Sequence, residues 1–178
     1  VILKLDVPKL FVQEKLQNEI LMLVKKNDCE ELARVRLSVF RGNGGLYDND
    51  RVLQYIIECW TLSDSVNKLN ENGLVVDIFP DARKSCDQFS NLKSANFLPY
   101  SMAALFAKEN KLNDCFVLNT HERICDATVA NIFWIKDGNI FTPPLQEGCV
   151  NGVMRRYLLK KMQDAGYGIL EIPASVSD

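Results

Sequence analysis

The sequence predicts a mixed α/β (α+β) protein built as two small domains, on three observations. Segments with apolar residues at helical spacing alternate along the chain with segments of period-2 or continuous apolar character. At 178 residues and 47% hydrophobic content the chain can bury a sizeable core. A polar stretch over residues 81–92, poor in aliphatic side chains, lies between the two halves. The expected organisation is a small α/β domain over 1–85, a linker over 86–92 and a larger domain over 93–178.

Each element has its own signal. From Pro8, a good first-turn residue, Phe11, Leu16, Ile20, Leu23 and Val24 recur at helical spacing until KKND closes the segment. Ala33, Val35, Leu37 and Val39 then alternate with Arg34, Arg36 and Ser38, the pattern of a half-buried strand, and RGNGG supplies the turn. Further strands are expected over 54–61 and 73–80. In the second half, 94–110 reads as a helix with Leu98, Met102, Leu105 and Phe106 on one side and Pro99 in its opening turn. CFVLNT follows as a strand, then a short polar turn, then two strands in NIFWIKDGNIFTPP about Asp137-Gly138. A last helix over 152–165 stops at Gly166, and GILEI closes as a strand. The chain opens in mid-stride at Val1-Ile2-Leu3 and stops just after that strand, so both ends read as cut and both domains as incomplete.

Composition narrows the function. Lys plus Arg total 21 against 23 acids, a net charge of −2 with no concentrated basic block, which argues against sequence-independent nucleic-acid binding. The longest apolar runs, 20–24 and 74–76, fall far short of the roughly 20 residues that span a bilayer. The six cysteines, at 29, 59, 86, 115, 125 and 149, include no Cys-x-x-Cys pair, which suits reduced thiols in a cytoplasmic protein better than a disulfide frame or a metal site. The single histidine, His121 in NTHER, reads as a turn residue. Acid–base work therefore falls to Lys, Tyr, Asp, Glu or a bound cofactor.

Three features carry that chemistry between them. Lys93 stands at the mouth of a predicted helix, where a cation opposes the helix dipole; alone it is an ordinary surface lysine. In the run DATVANIF, Asp126 and Asn131 enter an apolar strand, a pattern that Asx-turn chemistry would equally explain. The loop GCVNGVMR, from Gly148 to Arg155, runs straight into a helix and offers free N–H groups to an anion, although a plain capping turn looks the same. Together they match what pyridoxal phosphate requires: an amine for the aldehyde, an acid for the ring nitrogen and donors for the phosphate.

Residues 92–159 resemble the class IV aminotransferase family, the fold type IV pyridoxal-phosphate enzymes, which include branched-chain and D-amino acid aminotransferases and aminodeoxychorismate lyase. The resemblance rests on DATVANIF, then IFTPP, then VNGVMR, and ARVRLSVFRGNGGLY upstream is also similar to the family's small-domain strand and turn. It implies a two-domain fold type IV enzyme, a homodimer acting on a small amino substrate. Lys93 would attach the cofactor covalently and move protons at the substrate carbon. Asp126 would hold the pyridine nitrogen protonated, and Gly152, Val153 and Met154 would form the phosphate cup, with Asn131 and Thr128 supporting the loop beside the cofactor.

The sequence also departs from the family. Asp126 is one methylene shorter than the family's Glu. The phosphate-contacting arginine before the first helix has no counterpart, and the closing strands of the large domain are absent after Asp178. The short spacing from Lys93 to Asn96, and Met154 where aminotransferases usually have Thr, favour the lyase; Phe97 in place of an arginine counts against it. The expected reaction is conversion of aminodeoxychorismate to 4-aminobenzoate and pyruvate. The alternatives are an amino acid aminotransferase and an inactive truncated scaffold.

Overall fold

A computed structural model describes residues 13–42, 47 and 51–177; the predicted helix start at Pro8 and Phe11 and most of the RGNGG turn lie outside them. The chain forms two compact units, Val1–Leu69 and Asn70–Asp178. In the first, helix α1 (Gln13–Lys26) precedes strands β1 (Ala33–Arg41) and β2 (Leu53–Thr61), which pair antiparallel from Ala33 opposite Thr61 to Arg41 opposite Leu53. The Tyr55 phenol donates to Glu19 at 2.6 Å and ties β2 to α1. Val35, Leu37 and Val39, expected on a half-buried face, stay 37–43% exposed, because one helix and a two-stranded ribbon supply too little apolar area to close over them.

The second unit contains two three-stranded sheets. Strand β3 (Val76–Lys84) runs parallel to β4 (Asp114–Asn119), with helix α2 (Leu98–Glu109) as the crossover that parallel pairing needs, and β5 (Ile124–Ala127) adds antiparallel to β4. Strands β6 (Trp134–Lys136) and β7 (Asn139–Thr142) form a hairpin. Asp137 (φ 51°) and Gly138 (φ 77°) give it the left-handed two-residue turn whose twist suits a hairpin, and Trp134 stacks on its cross-strand partner Phe141 at 5.4 Å. Helix α3 (Val153–Asp164) then returns the chain so that β8 (Ile169–Glu171) lies parallel to β7. No helix among the described residues is long and apolar enough to cross a membrane.

Four sequence expectations need correction. The first unit ends at Leu69 rather than 85, because the partner of β3 is β4, a pairing that periodicity within β3 cannot reveal. The polar stretch 81–92 is no loose linker. Strand β3 runs to Lys84, and beyond it Asp87 accepts from the Phe89 N–H at 2.8 Å while Ser90 is buried. Helix α2 begins at Leu98 rather than 94, with Pro99 in its first turn, where its missing N–H costs nothing. Its buried face is also different: Ala103 and Ala107 pack on the sheet with Tyr100 and Phe106, whereas Leu98, Met102 and Leu105 are exposed. Two alanines four residues apart let the helix backbone approach the strands closely, so the small residues face inward. Around them Phe79, Cys115, Val117, Cys125 and Cys149 complete the core, with Phe79 edge-on to Phe106 at 5.8 Å.

Candidate active site

Two strand irregularities place the central carboxylate and its partners. Between Val117 opposite Asp126 and Leu118 opposite Ile124, β5 carries Cys125 as an extra residue, a bulge of the kind that re-aims side chains beside functional sites. On β3 the register shifts between Ile78, opposite Phe116, and Arg83, opposite Leu118. Pro80, which has no N–H to give the ladder, falls inside that shift on an edge strand.

Asp126 is 2% exposed and receives four donors. Its Oδ2 accepts from Lys84 Nζ at 3.1 Å, the Tyr100 hydroxyl at 2.7 Å and the Val150 N–H at 3.0 Å; its Oδ1 accepts from Asn131 Nδ2 at 3.0 Å. Burial pushes the Asp126 carboxyl above the ordinary carboxylate range, opposed by the Lys84 charge and the donors from Tyr100 and Val150. Burial, with the Asp126 charge beside it, also raises the Tyr100 phenol, and it lifts the neighbouring thiols of Cys125 and Cys149 to about 12 and about 11. Those thiols stay protonated near neutrality and are poor nucleophiles.

The same network holds the loop before α3. Asn131 donates its second amide hydrogen to the Val150 carbonyl at 2.7 Å, and a Cβ at Gly152 would collide with Asn131 Oδ1. Gly148 (φ 84°) lies so close to the backbone just after β3 that a Cβ there would strike the Ser85 carbonyl. Asn91 grips the loop from another side, donating to the carbonyls of Leu145 at 2.8 Å and Cys149 at 2.7 Å and accepting from the Asn151 N–H at 2.9 Å. Lys93 follows two residues later, exposed, with no hydrogen bond or ion pair to the described residues. Ion pairs flank the loop. Glu147, in the 3₁₀ turn Leu145–Glu147, takes two bonds from Arg123 at 2.6 and 2.8 Å, and the buried Arg155 reaches Glu171 at 2.6 Å and the Pro143 carbonyl at 3.0 Å.

At the start of α3, Gly152 is the N-cap without a side-chain cap, and the first helical bond runs from the Arg156 N–H to the Gly152 carbonyl. The N–H groups of Val153, Met154 and Arg155 therefore find no acceptor among the described residues; Val153 and Met154 are exposed while Arg155 is buried, and free N–H groups at a helix start are the arrangement that binds anions.

The structure thus joins Asp126, Asn131 and the 148–152 loop in one hydrogen-bonded network, which Asn91, two residues before Lys93 in the chain, also holds. Thr128 is elsewhere: its hydroxyl donates to Asp114 at 2.6 Å. Lys84 and Tyr100 are the partners that sequence reasoning missed. In the sequence Lys84 lies in the polar stretch 81–92 and Tyr100 inside the expected helix 94–110, and both residue types are common on protein surfaces. Chemically, the network combines a buried, hydrogen-bond-laden carboxylate with an anion-ready helix start.

Residues 4–178 match the family model for amino-transferase class IV. The chain belongs to the class IV aminotransferase family. Among its relatives, the aminodeoxychorismate lyase of Vibrio harveyi is 26% identical over 152 residues, covering 84% of this chain and 56% of that protein. A Methanocaldococcus jannaschii protein with the provisional name branched-chain-amino-acid aminotransferase is 26% identical over 176 residues, covering 98% of this chain and 60% of that protein. In fold, 99% of the chain superposes on 59% of the branched-chain aminotransferase of Thermoproteus uzoniensis with a TM-score of 0.81 at 21% identity. The chain therefore has the class IV fold and spans a little over half the length of these relatives.

Proposed function

We propose that this class IV chain forms part of a pyridoxal-phosphate enzyme in which Lys93 attaches the cofactor, Asp126 holds the ring nitrogen and the start of α3 binds the phosphate. The observation that carries the reading is the network from Asp126 through Asn131 and Val150 to the loop gripped by Asn91, two residues before Lys93. The donor set fits the group. Among the described residues, Asp126 Oδ1 has one partner and can accept another, the Lys93 amine is free, and three N–H groups at α3 lack acceptors. Bound, the cofactor supplies an electron sink for negative charge at the substrate carbon beside the amine. Gly152, Val153 and Met154 would orient the phosphate, Asn131 would hold Asp126 and the loop in register, and Lys93 would take and return the proton at the substrate carbon.

For the reaction we favour the lyase. Aminodeoxychorismate would lose pyruvate and its ring would aromatise to 4-aminobenzoate, with Lys93 removing the ring proton. The Vibrio harveyi relative, Met154 and the short spacing from Lys93 to Asn96 support this choice. An aminotransferase is the second reading, favoured by the Methanocaldococcus jannaschii relative, which matches nearly the whole chain. The family likeness extends either reading to a cytoplasmic homodimer acting on a small amino substrate.

Two experiments on the whole protein test this. Borohydride reduction followed by peptide mapping should place the cofactor label on Lys93; a label on Lys84 would overturn the site. Incubation with aminodeoxychorismate should release pyruvate and 4-aminobenzoate in equal amounts. A higher specificity constant for amino-group transfer from leucine, glutamate or a D-amino acid would reverse the ranking of the two reactions.

A further inference from the structure

We propose that Lys84 is a positioning residue for Asp126: from the last residue of β3 its ammonium anchors Oδ2 of the buried carboxylate, leaving Oδ1 to meet the ring nitrogen of the cofactor. This rests on the reading of Asp126 given above. The two oxygens are loaded unequally. Oδ2 accepts from Lys84, Tyr100 and Val150, which exceeds its two lone-pair directions, whereas among the described residues Oδ1 accepts from Asn131 alone. A further donor can be received only at Oδ1.

Lys84 is held in that role by two elements. Strand β3 brings its stem in, and the face of Tyr100 on α2 lies 5.2 Å from the ammonium while the Tyr100 hydroxyl shares the same carboxylate oxygen. Its side chain is 11% exposed and that of Asp126 is 3% exposed, so neither is a solvated surface charge. A carboxylate buried this deeply takes up a proton unless an opposite charge stands beside it, and a protonated Asp126 could not hold a charged ring nitrogen. The charged and titratable groups facing Asp126 are Lys84 on β3, Tyr100 on α2, and the thiols of Cys125 on β5 and Cys149 in the loop. Only Lys84 among these carries positive charge. It also compensates for a short acid: with Asp in place of the longer Glu, the carboxylate depends more on being clamped from behind. The clamped amine cannot at the same time carry the aldehyde, which agrees with the free Lys93 taking that part.

The test uses the whole protein as purified, with carbon-13 in its aspartate carboxyls and the Asp126 signal assigned through Asp126→Asn. Lys84→Met should raise the Asp126 titration midpoint by about one pH unit or more, Lys84→Arg should restore it, and the pyridoxal-phosphate absorption band should acquire the same pH dependence in Lys84→Met. An unmoved midpoint in Lys84→Met, or no rescue by arginine, would overturn the proposal. If Lys84→Met does not fold, the wild-type protein still decides: the nitrogen-15 signal of the Lys84 ammonium must move with the Asp126 midpoint, and independent titration of the two groups overturns the clamp. Borohydride mapping on the same samples separates the two levels. Label on Lys93 with an unresponsive Asp126 rejects the role of Lys84 and leaves the cofactor site standing. Label on Lys84 rejects both, and no label on either lysine rejects the cofactor reading and this proposal with it.

Discussion

Asp126 gathers its four donors from four separate segments, so removing it affects chemistry and folding through different partners. Asp126→Ala should slow the chemical step by orders of magnitude while borohydride still labels Lys93, because the amine does not depend on the acid for attachment. Near-normal turnover would show that Asp126 is not the ring partner. Gly152→Ala acts on the same network indirectly. The new Cβ would displace Asn131, which would lose its bonds to Asp126 and Val150, at a cost of about 1–3 kcal/mol that a shift in the urea midpoint would report. Glu147 gives the pH dependence. Burial alone would push its carboxyl up, but the bonds from Arg123 and Asn119 and the Arg123 charge prevail and hold it below the ordinary range. A carboxyl depressed in the folded state contributes stability above its unfolded value of about 4.3, and that contribution is lost as pH falls through the folded value. Acid unfolding below about pH 4 should therefore be shallower in Glu147→Gln, which should itself cost about 1.5–3 kcal/mol at neutral pH.

Among the elements, the three helices end in one motif built from three different residues. The N–H of Cys29 bonds the Val24 carbonyl, that of Leu112 the Ala107 carbonyl and that of Tyr167 the Met162 carbonyl. Each closure passes through a left-handed residue, Asp28 (φ 51°), Lys111 (φ 58°) and Gly166 (φ 83°) respectively. Only the glycine adopts that backbone without steric cost. Lys111→Gly should stabilise the protein by roughly 0.5–1 kcal/mol, the relief of a strained Cβ less the added freedom of the unfolded chain, with no change in turnover. Thermal midpoints of the two forms measure it, and a lower midpoint for Lys111→Gly would refute it. These caps also show why local patterns were legible only in part. Gly166 and Asp137-Gly138 announced a helix end and a hairpin because their backbone preference is written in one or two residues, and β1, β2 and α3 carried long periodic runs. The strand β5 was missed because ICDA is four residues long with an acid inside it. The partners of Asp126 were missed because they depend on β3 pairing with β4 and β4 with β5, contacts between residues 42 and 26 positions apart in sequence. The signature residues were visible in the chain, but what holds them was not.

At the scale of the whole molecule, the proposed cofactor contacts come from the segment before α2, from β5 and from the start of α3, so they coincide only when the second unit is folded. A ligand that bridges all three binds the native state and not the unfolded chain, and it must raise stability by mass action, about 2.7 kcal/mol at a hundredfold excess over its dissociation constant. Pyridoxal phosphate should therefore raise the melting midpoint of the protein in a concentration-dependent way. In Lys93→Ala the rise should be smaller but present, because the phosphate and ring contacts remain. Phe79→Ala provides the complementary control. Phe79 is 2% exposed in the core against Phe106 and belongs to no part of the site, so its loss should cost about 3–5 kcal/mol while the cofactor-dependent increment stays the same. Calorimetry across a cofactor titration on the three forms would separate these effects. A midpoint independent of pyridoxal phosphate in the unaltered protein would count against the three-segment site, and an increment that vanished with Phe79→Ala would mean that core packing and cofactor binding are not independent in this fold.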